Sequence, residues 1–333
     1  MRIGLLHDSI LPPKNYGGIE RIVMALAEEY KNLGHEVTII SRQGSNIVNF
    51  NKSELPPDYK KLHPNKWLPK NLDFLHLHQH LPFTPEIPFL ATSHGNGHPN
   101  ELYWKNTNFL SQSHAKNHNA KFFIYNGLNP EKFPFVEEKE DYVVFLAKAS
   151  WRIKNLKTCI NFAKDLGVRL EVIGGKGIDT KFVKYHGMIN ESQGKLEILS
   201  KARALIYPTN WDEPCAVAPL EALACGTPVI TSSNGCMSEL VREGTGIICK
   251  NYNDLLDSWH KISEIKPKNC RRSVEDFFSL KRMAKDYLSL INQIIQKGEL
   301  DHQPKYNFKP ESVIPIFKPT LKNRLQFFLT KKI

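Results

Sequence analysis

The 333-residue sequence predicts an α/β protein with two domains, each built on a parallel sheet. Short apolar runs alternate with amphipathic stretches, and this alternation is typical of β-α-β units. The first such unit consists of a strand at 2–6, a helix that ends near Gly34 and a strand at 35–40. The pattern starts again with a strand at 142–147 and a helix at 156–166. The length suits two domains of about 150 residues each.

The stretch 207–231, YPTNWDEPCAVAPLEALACGTPVIT, places two carboxylates after a buried strand. It predicts a polar loop, a short helix from Pro219 that ends before Gly226, and a new strand. Glu213 then lies in the loop and Glu221 in the first helical turn. Such loops and helix N-termini form the ligand crevice of a parallel sheet, and carboxylates accept hydrogen bonds from sugar or ribose hydroxyls. Alternatively, Glu221 complements the helix dipole and Glu213 is a solvated charge.

Two lysines follow the first strand of the second domain, in the loop AKASWRIKN. Lys148 and Lys154 precede the N-terminus of a predicted helix. This arrangement suits a diphosphate, whose charge grows as a nucleotide departs. A solvated lysine-rich loop explains the same residues.

A glycine pair and a histidine stand out in the first domain. Gly17 and Gly18 precede the first helix, where exposed amides and the helix dipole favour an anion such as phosphate. They come too long after the first strand for a G-x-G-x-x-G site, so NAD binding is not predicted. His94 ends the strand FLATSH before a glycine. It is either a donor or base towards a sugar hydroxyl or a structural residue of the turn.

Three segments resemble those of one enzyme family. They are E-P-x-x-x-x-P-x-E-A-x-A-C-G-T-P-V from Glu213, P-P-x-x-Y-G-G-x-E-R-x-V from Pro12, and the strand-His-Gly segment at His94. All three resemble the family-4 glycosyltransferases, retaining enzymes of the GT-B fold, in which two Rossmann-like domains face each other across a cleft. The resemblance covers residues 1–40 and 70–295.

The resemblance implies a role for each candidate residue. Glu213 would contact the transferred sugar, Glu221 would bind the nucleotide ribose, and the lysines and the glycine pair would lie beside the donor diphosphate. The implied catalytic residues are Glu213, His94 and Lys154, and the implied donor-binding residues are Gly17, Gly18, Lys148, Lys154, Glu213 and Glu221. The family usually has Phe-Gly after Glu-Pro, whereas this chain has Cys215 and Ala216. Alanine has less backbone freedom than glycine, so a catalytically silent scaffold is an alternative.

The resemblance also suggests how the chain is divided. A helix predicted over 274–295 would cross back to the first domain. The predicted parts are an N-terminal Rossmann-like acceptor domain (1–135), a C-terminal Rossmann-like donor domain (136–280), the crossing helix (281–297) and a basic tail (298–333). The end of the tail, LKNRLQFFLTKKI, fits a helix lying on an anionic membrane or a basic segment packed on the first domain. Residues 42–70 are expected to form an irregular insert.

The predicted activity is transfer of a hexose, with retention, from a nucleotide-diphosphate sugar such as a UDP or GDP sugar. The acceptor would be a sugar or glycolipid in cell-surface polysaccharide or lipopolysaccharide synthesis. A GT-B nucleotide-sugar epimerase is a further alternative. No metal or other cofactor is expected; a zinc site at His76, His78 and His80 is the competing hypothesis.

Charge and cysteine content narrow the partners and the location. The formal net charge is +11, and residues 291–333 carry eight basic and three acidic residues. Because this excess lies in a tail and the aromatics do not alternate with cations, nucleic-acid binding is not predicted. Six scattered cysteines without a C-x-x-C pair indicate a reduced, cytoplasmic protein, with peripheral membrane attachment through the tail as a further option.

Overall fold

The structure, a computed structural model, describes residues 1–13, 17–189, 194–310 and 313. The chain forms two compact units. The first consists of Met1–Leu128 and Ser279–Phe308, and the second is built on Asn129–Phe278.

The first unit contains a parallel six-stranded sheet with the order β3-β2-β1-β4-β5-β6. This is the strand order of a Rossmann fold, in which the chain reverses direction of winding between β1 and β4. The strands are β1 (Arg2–Leu6), β2 (Glu36–Ser41), β3 (Asn51–Glu54), β4 (Phe74–Leu77), β5 (Phe89–Thr92) and β6 (Thr107–Asn108).

Burial explains why these segments form strands and helices. The central strands β1, β2 and β4 are almost wholly buried, as expected for a parallel sheet covered on both faces. The helices in the first part of the chain are α1 (Gly18–Asn32) and α2 (Gln112–Lys116). α1 buries one stripe of residues, Ile22, Val23, Leu26, Ala27 and Tyr30, whose spacing of three and four places them on one helix face.

Residues 42–70 are more regular than expected. They include β3, which pairs with β2, and short 3-10 turns at Tyr59–Lys61 and Pro64–Lys66. Leu55 and Tyr59 join the buried core of the first unit. The sequence suggested an irregular insert because polar residues and prolines hide these widely spaced apolar anchors.

The second unit repeats the plan of the first. Its parallel sheet has the order β12-β11-β10-β7-β8-β9, so β7 and β10 occupy the places of β1 and β4. The strands are β7 (Glu140–Leu146), β8 (Arg169–Ile173), β9 (Val183–Tyr185), β10 (Ala202–Tyr207), β11 (Val229–Ser232) and β12 (Gly246–Cys249). The helices are α3 (Leu156–Leu166), α4 (Lys195–Lys201), α5 (Val217–Ala224), α6 (Met237–Leu240), α7 (Tyr252–Lys261) and α8 (Pro267–Phe277). The α/β prediction is confirmed.

The prediction of a single helix over 274–295 is wrong, because α8 ends at Phe277 and a separate helix, α9 (Leu280–Lys297), begins after it. Ser279 caps α9, and its side chain accepts a hydrogen bond from Arg282 N at 3.3 Å. The continuous apolar stripe concealed this break in the sequence. α9 packs on α1 and β5 of the first unit.

Residues after α9 pack on the first unit as far as Phe308. Leu300, His302 and Phe308 are buried. Lys305 N donates to His118 O at 2.8 Å, which fixes this segment beside α2. The predicted amphipathic end, 321–333, lies outside the described residues. In the part of the chain that the structure describes, no helix combines the length and apolar character needed to span a membrane.

Candidate functional site

The reversal point of the second sheet carries the main candidate site. β7 and β10 are neighbours there, and the loops that follow them meet. Asn155 Nδ2 donates to Pro208 O at 3.0 Å, and Asn210 N donates to Ile153 O at 2.7 Å. Because ligands of open α/β sheets bind at such reversal points, these two loops form the expected place for a ligand.

Lys154 and Glu213 are brought together at this point as a buried ion pair. Lys154 is 7% exposed and Glu213 is 4% exposed. Lys154 Nζ donates to Glu213 Oε1 and, at 2.9 Å, to the Tyr207 hydroxyl. The Thr209 and Tyr207 hydroxyls donate to the same Oε1 at 2.9 and 3.2 Å. The hydrogen bonds from the described residues thus converge on one oxygen of Glu213 and leave Oε2 for a further donor.

The loop after β11 supports the Glu213 loop from behind. Cys236 N donates to Glu213 O at 2.8 Å. Ser232 Oγ and Asn234 Nδ2 both donate to Thr209 O, at 2.8 and 2.9 Å. These bonds hold the backbone on both sides of the carboxylate, so its position is set by the fold rather than by a mobile loop.

Glu221 forms a second buried ion pair. Lys195 Nζ donates to Glu221 Oε1 at 2.9 Å, and the two side chains are 3% and 7% exposed. The helix carrying Glu221, α5, begins at Val217 and not at the predicted Pro219. Glu221 therefore lies in the second turn, where the dipole of the helix N-terminus is too far away to account for a buried charge.

Lys139 connects the two helices that carry this second pair. Its ammonium group donates to Ser200 O near the end of α4 at 2.7 Å, and to Cys225 O after α5 at 3.2 Å. It also donates to Thr227 Oγ1 at 3.2 Å. Burial lowers the pKa of Lys139 to about 8. The carboxyl ends of α4 and α5 are thereby fixed to each other.

Lys148 lies in the same loop as Lys154, where Trp151 N donates to Lys148 O at 2.9 Å. Its Nζ lies 5.2 Å from the ring centroid of Trp151. Ala216, where the family has glycine, has φ −72° and ψ 123°, a conformation open to any residue. The departure Cys215-Ala216 therefore introduces no backbone strain next to Glu213.

In the first unit, His94 is held by a second histidine. His78 Nδ1 and His94 Nε2 are 2.9 Å apart, and desolvation lowers the pKa of His94 to about 3. The His94 imidazole is therefore neutral at physiological pH. The two rings help to line a cavity of 250 Å³ at the carboxyl ends of β4 and β5.

The glycine pair lies beside a carboxylate. A Cβ on Gly17 would lie 2.9 Å from Glu20 Oε2, whereas a Cβ on Gly18 would meet no atom of the described residues within 4 Å. Ser9 Oγ donates to Glu20 Oε1 at 3.0 Å, and the neighbouring His7 imidazole lowers the pKa of Glu20 to about 2. An ionised carboxylate thus lies beside Gly17.

The three histidines of the zinc hypothesis have different partners. His76 bonds with the Tyr30 hydroxyl at 3.3 Å and with Thr92 Oγ1 at 2.9 Å. His78 contacts His94, and His80 stacks on Trp104 with ring centroids 4.2 Å apart. Within the described ranges, no three His, Cys, Asp or Glu side chains form a group that could hold a metal ion.

Sequence reasoning missed several residues of these clusters. They are Tyr207, Thr209, Lys195, Lys139 and Glu20; His78 was considered only as a zinc ligand and not as the partner of His94. Tyr207 and Thr209 lie in the stretch that drew attention to Glu213, and their hydroxyls were a usable signal. Lys195 and Lys139 resemble solvated lysines in the sequence, because nothing local shows that they are buried.

Comparison with known proteins identifies the family that the second unit resembles. Residues 129–272 match the family described as "Glycosyl transferases group 1". The second unit is therefore a glycosyl transferases group 1 domain, and the resemblance drawn from the motifs is confirmed at this level. The finer assignment to family 4 stays a prediction.

Two curated relatives match parts of the chain. The O-antigen chain mannosyltransferase RfbU of Salmonella typhimurium is 29% identical over 50% of this chain and 52% of its own length. The putative glycosyltransferase YtcC of Bacillus subtilis is 27% identical over 35% of this chain and 32% of its own length. The chain thus spans about half or less of these relatives.

Solved structures resemble most of the chain. AviGT4, a glycosyltransferase involved in avilamycin A biosynthesis, has a TM-score of 0.71 at 20% identity, covering 89% of this chain and 98% of its own. HepE of Anabaena, in complex with UDP and glucose, has a TM-score of 0.61 at 13% identity, covering 89% and 98%. At these identities the likeness shows the fold, and the predicted GT-B fold class is confirmed.

Proposed function

We propose that the chain is a retaining glycosyltransferase that moves a hexose from a nucleotide-diphosphate sugar to a sugar or glycolipid acceptor. The observation that carries this proposal is the meeting of Lys154 and Glu213 at the reversal point of a glycosyl transferases group 1 domain. A cation and a carboxylate there match the two ends of such a donor, its diphosphate and its sugar hydroxyls.

In this proposal, the buried pairs of the second unit bind the donor. Glu213 Oε2 accepts hydrogen bonds from hydroxyls of the transferred sugar, and Glu221 accepts them from the ribose. Tyr207 and Glu213 take two of the three N–H bonds of Lys154, so the third is available to a phosphate oxygen. Lys148 supplies a second cation to the diphosphate.

The chemistry rests on stabilising the departing diphosphate. As the glycosidic bond breaks, positive charge develops at the anomeric carbon and negative charge on the leaving phosphate. Lysine N–H groups that are already oriented stabilise this charge without reorganisation. The carboxylates bind hydroxyls in this scheme, so they are not assigned the acid and base roles of a glycosidase. The reaction is proposed to need no metal or other cofactor.

Relatives guide the proposed substrate class. RfbU is an O-antigen chain mannosyltransferase, HepE was solved with UDP and glucose, and WaaG is a glycosyltransferase involved in lipopolysaccharide biosynthesis. We therefore propose a UDP- or GDP-hexose donor and an acceptor in cell-surface polysaccharide or lipopolysaccharide synthesis. Attachment to an anionic membrane through 321–333 is part of the proposal. Flotation with anionic vesicles checks that attachment, and binding that survives deletion of 321–333 contradicts it.

Three predicted residues belong to the first unit. Gly17 and Gly18 are proposed to offer backbone amides to a phosphate, and their place at the N-terminus of α1 supports this role. His94 is proposed to bond with a sugar hydroxyl. Its neutral imidazole, fixed by His78, is able to donate or accept such a bond.

A donor panel tests the proposal. Purified protein is incubated with UDP- and GDP-hexoses and with acceptor glycans, and release of nucleotide is measured. Glu213→Gln is expected to lower turnover by about 100-fold or more. Glu243→Gln, which replaces an exposed carboxylate of the same unit, is the matched control.

Other outcomes would support the other functions. Binding of a donor without turnover for any acceptor would favour the silent scaffold. Free sugar isomers that form without an acceptor would show an epimerase. Failure to bind any of the nucleotides would contradict the proposal as a whole.

A further inference from the structure

The Lys195–Glu221 pair links two helices in the interior of the second unit. Lys195 is the first residue of α4, directly after Gly194 in the left-handed conformation (φ 88°). Glu221 projects from α5, and the Nζ–Oε1 distance is 2.9 Å. Removing two charges from water is costly, and an apolar pair of similar size is often as stable. Stability alone is therefore a weak reason for this ion pair.

The pair uses only part of the carboxylate. The described hydrogen bond to Glu221 ends on Oε1. A carboxylate accepts about four hydrogen bonds, so Oε2 is left for another donor. Lys195 therefore sets which oxygen of Glu221 is occupied and holds the carboxylate in one orientation.

The surrounding structure keeps this geometry fixed. Lys139 joins the carboxyl ends of α4 and α5 through Ser200 O and Cys225 O. Lys139 thus connects the two helices at their carboxyl ends, and the ion pair connects the first residue of α4 with the second turn of α5. Rotation of one helix against the other, which would turn Glu221 away, breaks both connections.

We propose that Lys195 is a positioning residue that holds the Glu221 carboxylate in one orientation, with Oε2 presented to the ribose hydroxyls of the donor nucleotide. The inference rests on the proposed function, because it takes Glu221 as the ribose-binding residue. Lys195 acts through Glu221 and does not itself touch the nucleotide. Its removal therefore changes recognition of the ribose and leaves the contacts of the diphosphate and the base intact.

The test compares ribonucleotides with nucleotides that lack the ribose hydroxyls. Calorimetry measures the Kd of UDP and GDP and of their 2′,3′-dideoxy forms. In the parent chain the ribo form is expected to bind tighter by about tenfold or more, since a charged acceptor meets the hydroxyls. Lys195→Met is expected to reduce this ratio to near one, with the Kd of the dideoxy form unchanged. Glu221→Gln is expected to reduce the ratio in the same way.

Rescue by a conservative variant separates positioning from support of the fold. Lys195→Arg, which restores a cation able to donate to Glu221 Oε1, is expected to keep the preference for ribose. Lys201→Met is the matched control: Lys201 lies on the same helix in an exposed pair with Glu197 at 2.8 Å, so the preference should be unchanged.

Two results would overturn the inference alone. One is a ribose preference that Lys195→Met leaves intact; the other is equal weakening of ribo and dideoxy forms, as expected from general damage to the fold. If Lys195→Met does not fold, Lys195→Gln takes its place, because it removes the cation of the ion pair and keeps a polar side chain. A parent chain that binds neither nucleotide overturns the proposed function and this inference together.

Discussion

Gly235 lies directly against the backbone of Glu213. A Cβ at position 235 would come within 2.2 Å of Glu213 N and 2.5 Å of Glu213 O. Gly235 also has φ 62°, in the left-handed region that favours glycine. The position of the Glu213 carboxylate thus depends on the absence of a side chain in the loop after β11.

Gly235→Ala is therefore expected to displace the Glu213 loop. Gly244→Ala is the matched control. Gly244 also has a positive φ (74°), but the atom nearest to a Cβ at this position would be Asn269 Nδ2, at 3.4 Å. Both variants incur left-handed strain of about 1–2 kcal/mol. Only Gly235→Ala overlaps with backbone atoms, so its loss of unfolding free energy should exceed that of the control by about 1–3 kcal/mol. Urea unfolding measures the free energy of unfolding of both variants. Equal losses in the two variants would contradict a clash between residue 235 and the backbone of Glu213.

The Lys154–Glu213 pair is expected to show strong coupling. Breaking a buried pair by replacing one partner typically costs about 3–5 kcal/mol, because the other charge is left uncompensated. Lys154→Met and Glu213→Gln should each be strongly destabilising, and the double variant should lose about 0.5–3 kcal/mol less than their sum. A double-mutant cycle in urea measures this coupling.

An exposed pair of the same unit provides the comparison for that cycle. Arg203 and Asp141 are 2.6 Å apart, with side chains 29% and 74% exposed. Their coupling should be about 0–1 kcal/mol, because water screens both charges. Similar coupling in the two cycles would contradict a desolvated site around Glu213.

Acid is expected to destabilise the first unit through its buried histidines. Burial lowers the pKa of His76 from 6.5 to about 3. In the unfolded chain His76 therefore binds a proton near pH 6.5, whereas in the folded chain it binds one only near pH 3. Stability is unaffected above pH 6.5 and falls below it, by about 1.4 kcal/mol per pH unit for each such histidine.

His76→Gln should make this loss shallower. Urea unfolding between pH 4 and pH 7 measures the slope of the unfolding free energy against pH. In His76→Gln this slope is expected to fall by the contribution of one proton, about 1.4 kcal/mol per pH unit. His260→Gln, an exposed position on α7, should leave the slope of the parent unchanged. An unaltered slope in His76→Gln would mean that another group controls the acid response.

Lys139→Met should loosen α4 against α5. The substitution leaves Ser200 O and Cys225 O without their donor, at a cost of about 1–3 kcal/mol. Hydrogen exchange of amides in both helices should rise, whereas Lys164→Met, at an exposed position of α3, should have no effect. Unchanged exchange in Lys139→Met would show that the helices are held by their apolar contacts alone.

The sequence predicted the features that depend on local pattern. The strand β10 is apolar apart from Arg203, and Gly226 after α5 has the positive φ of a helix stop (74°). The motif around Glu213 led to the correct family description for the second unit. Two boundaries differ from the predictions: α5 begins before Pro219, and a capping serine divides the predicted terminal helix in two.

Only the tertiary structure decided which charges meet. Lys154 is 59 residues from Glu213, and Lys195 is 26 residues from Glu221. A lysine in a loop or at a helix start looks the same in sequence whether it is solvated or buried, because burial depends on the strands and helices that pack around it. The sequence by itself therefore determined the fold class and the candidate carboxylates. The folded chain decided their partners, because parallel strand order brings together loops that are distant along the chain.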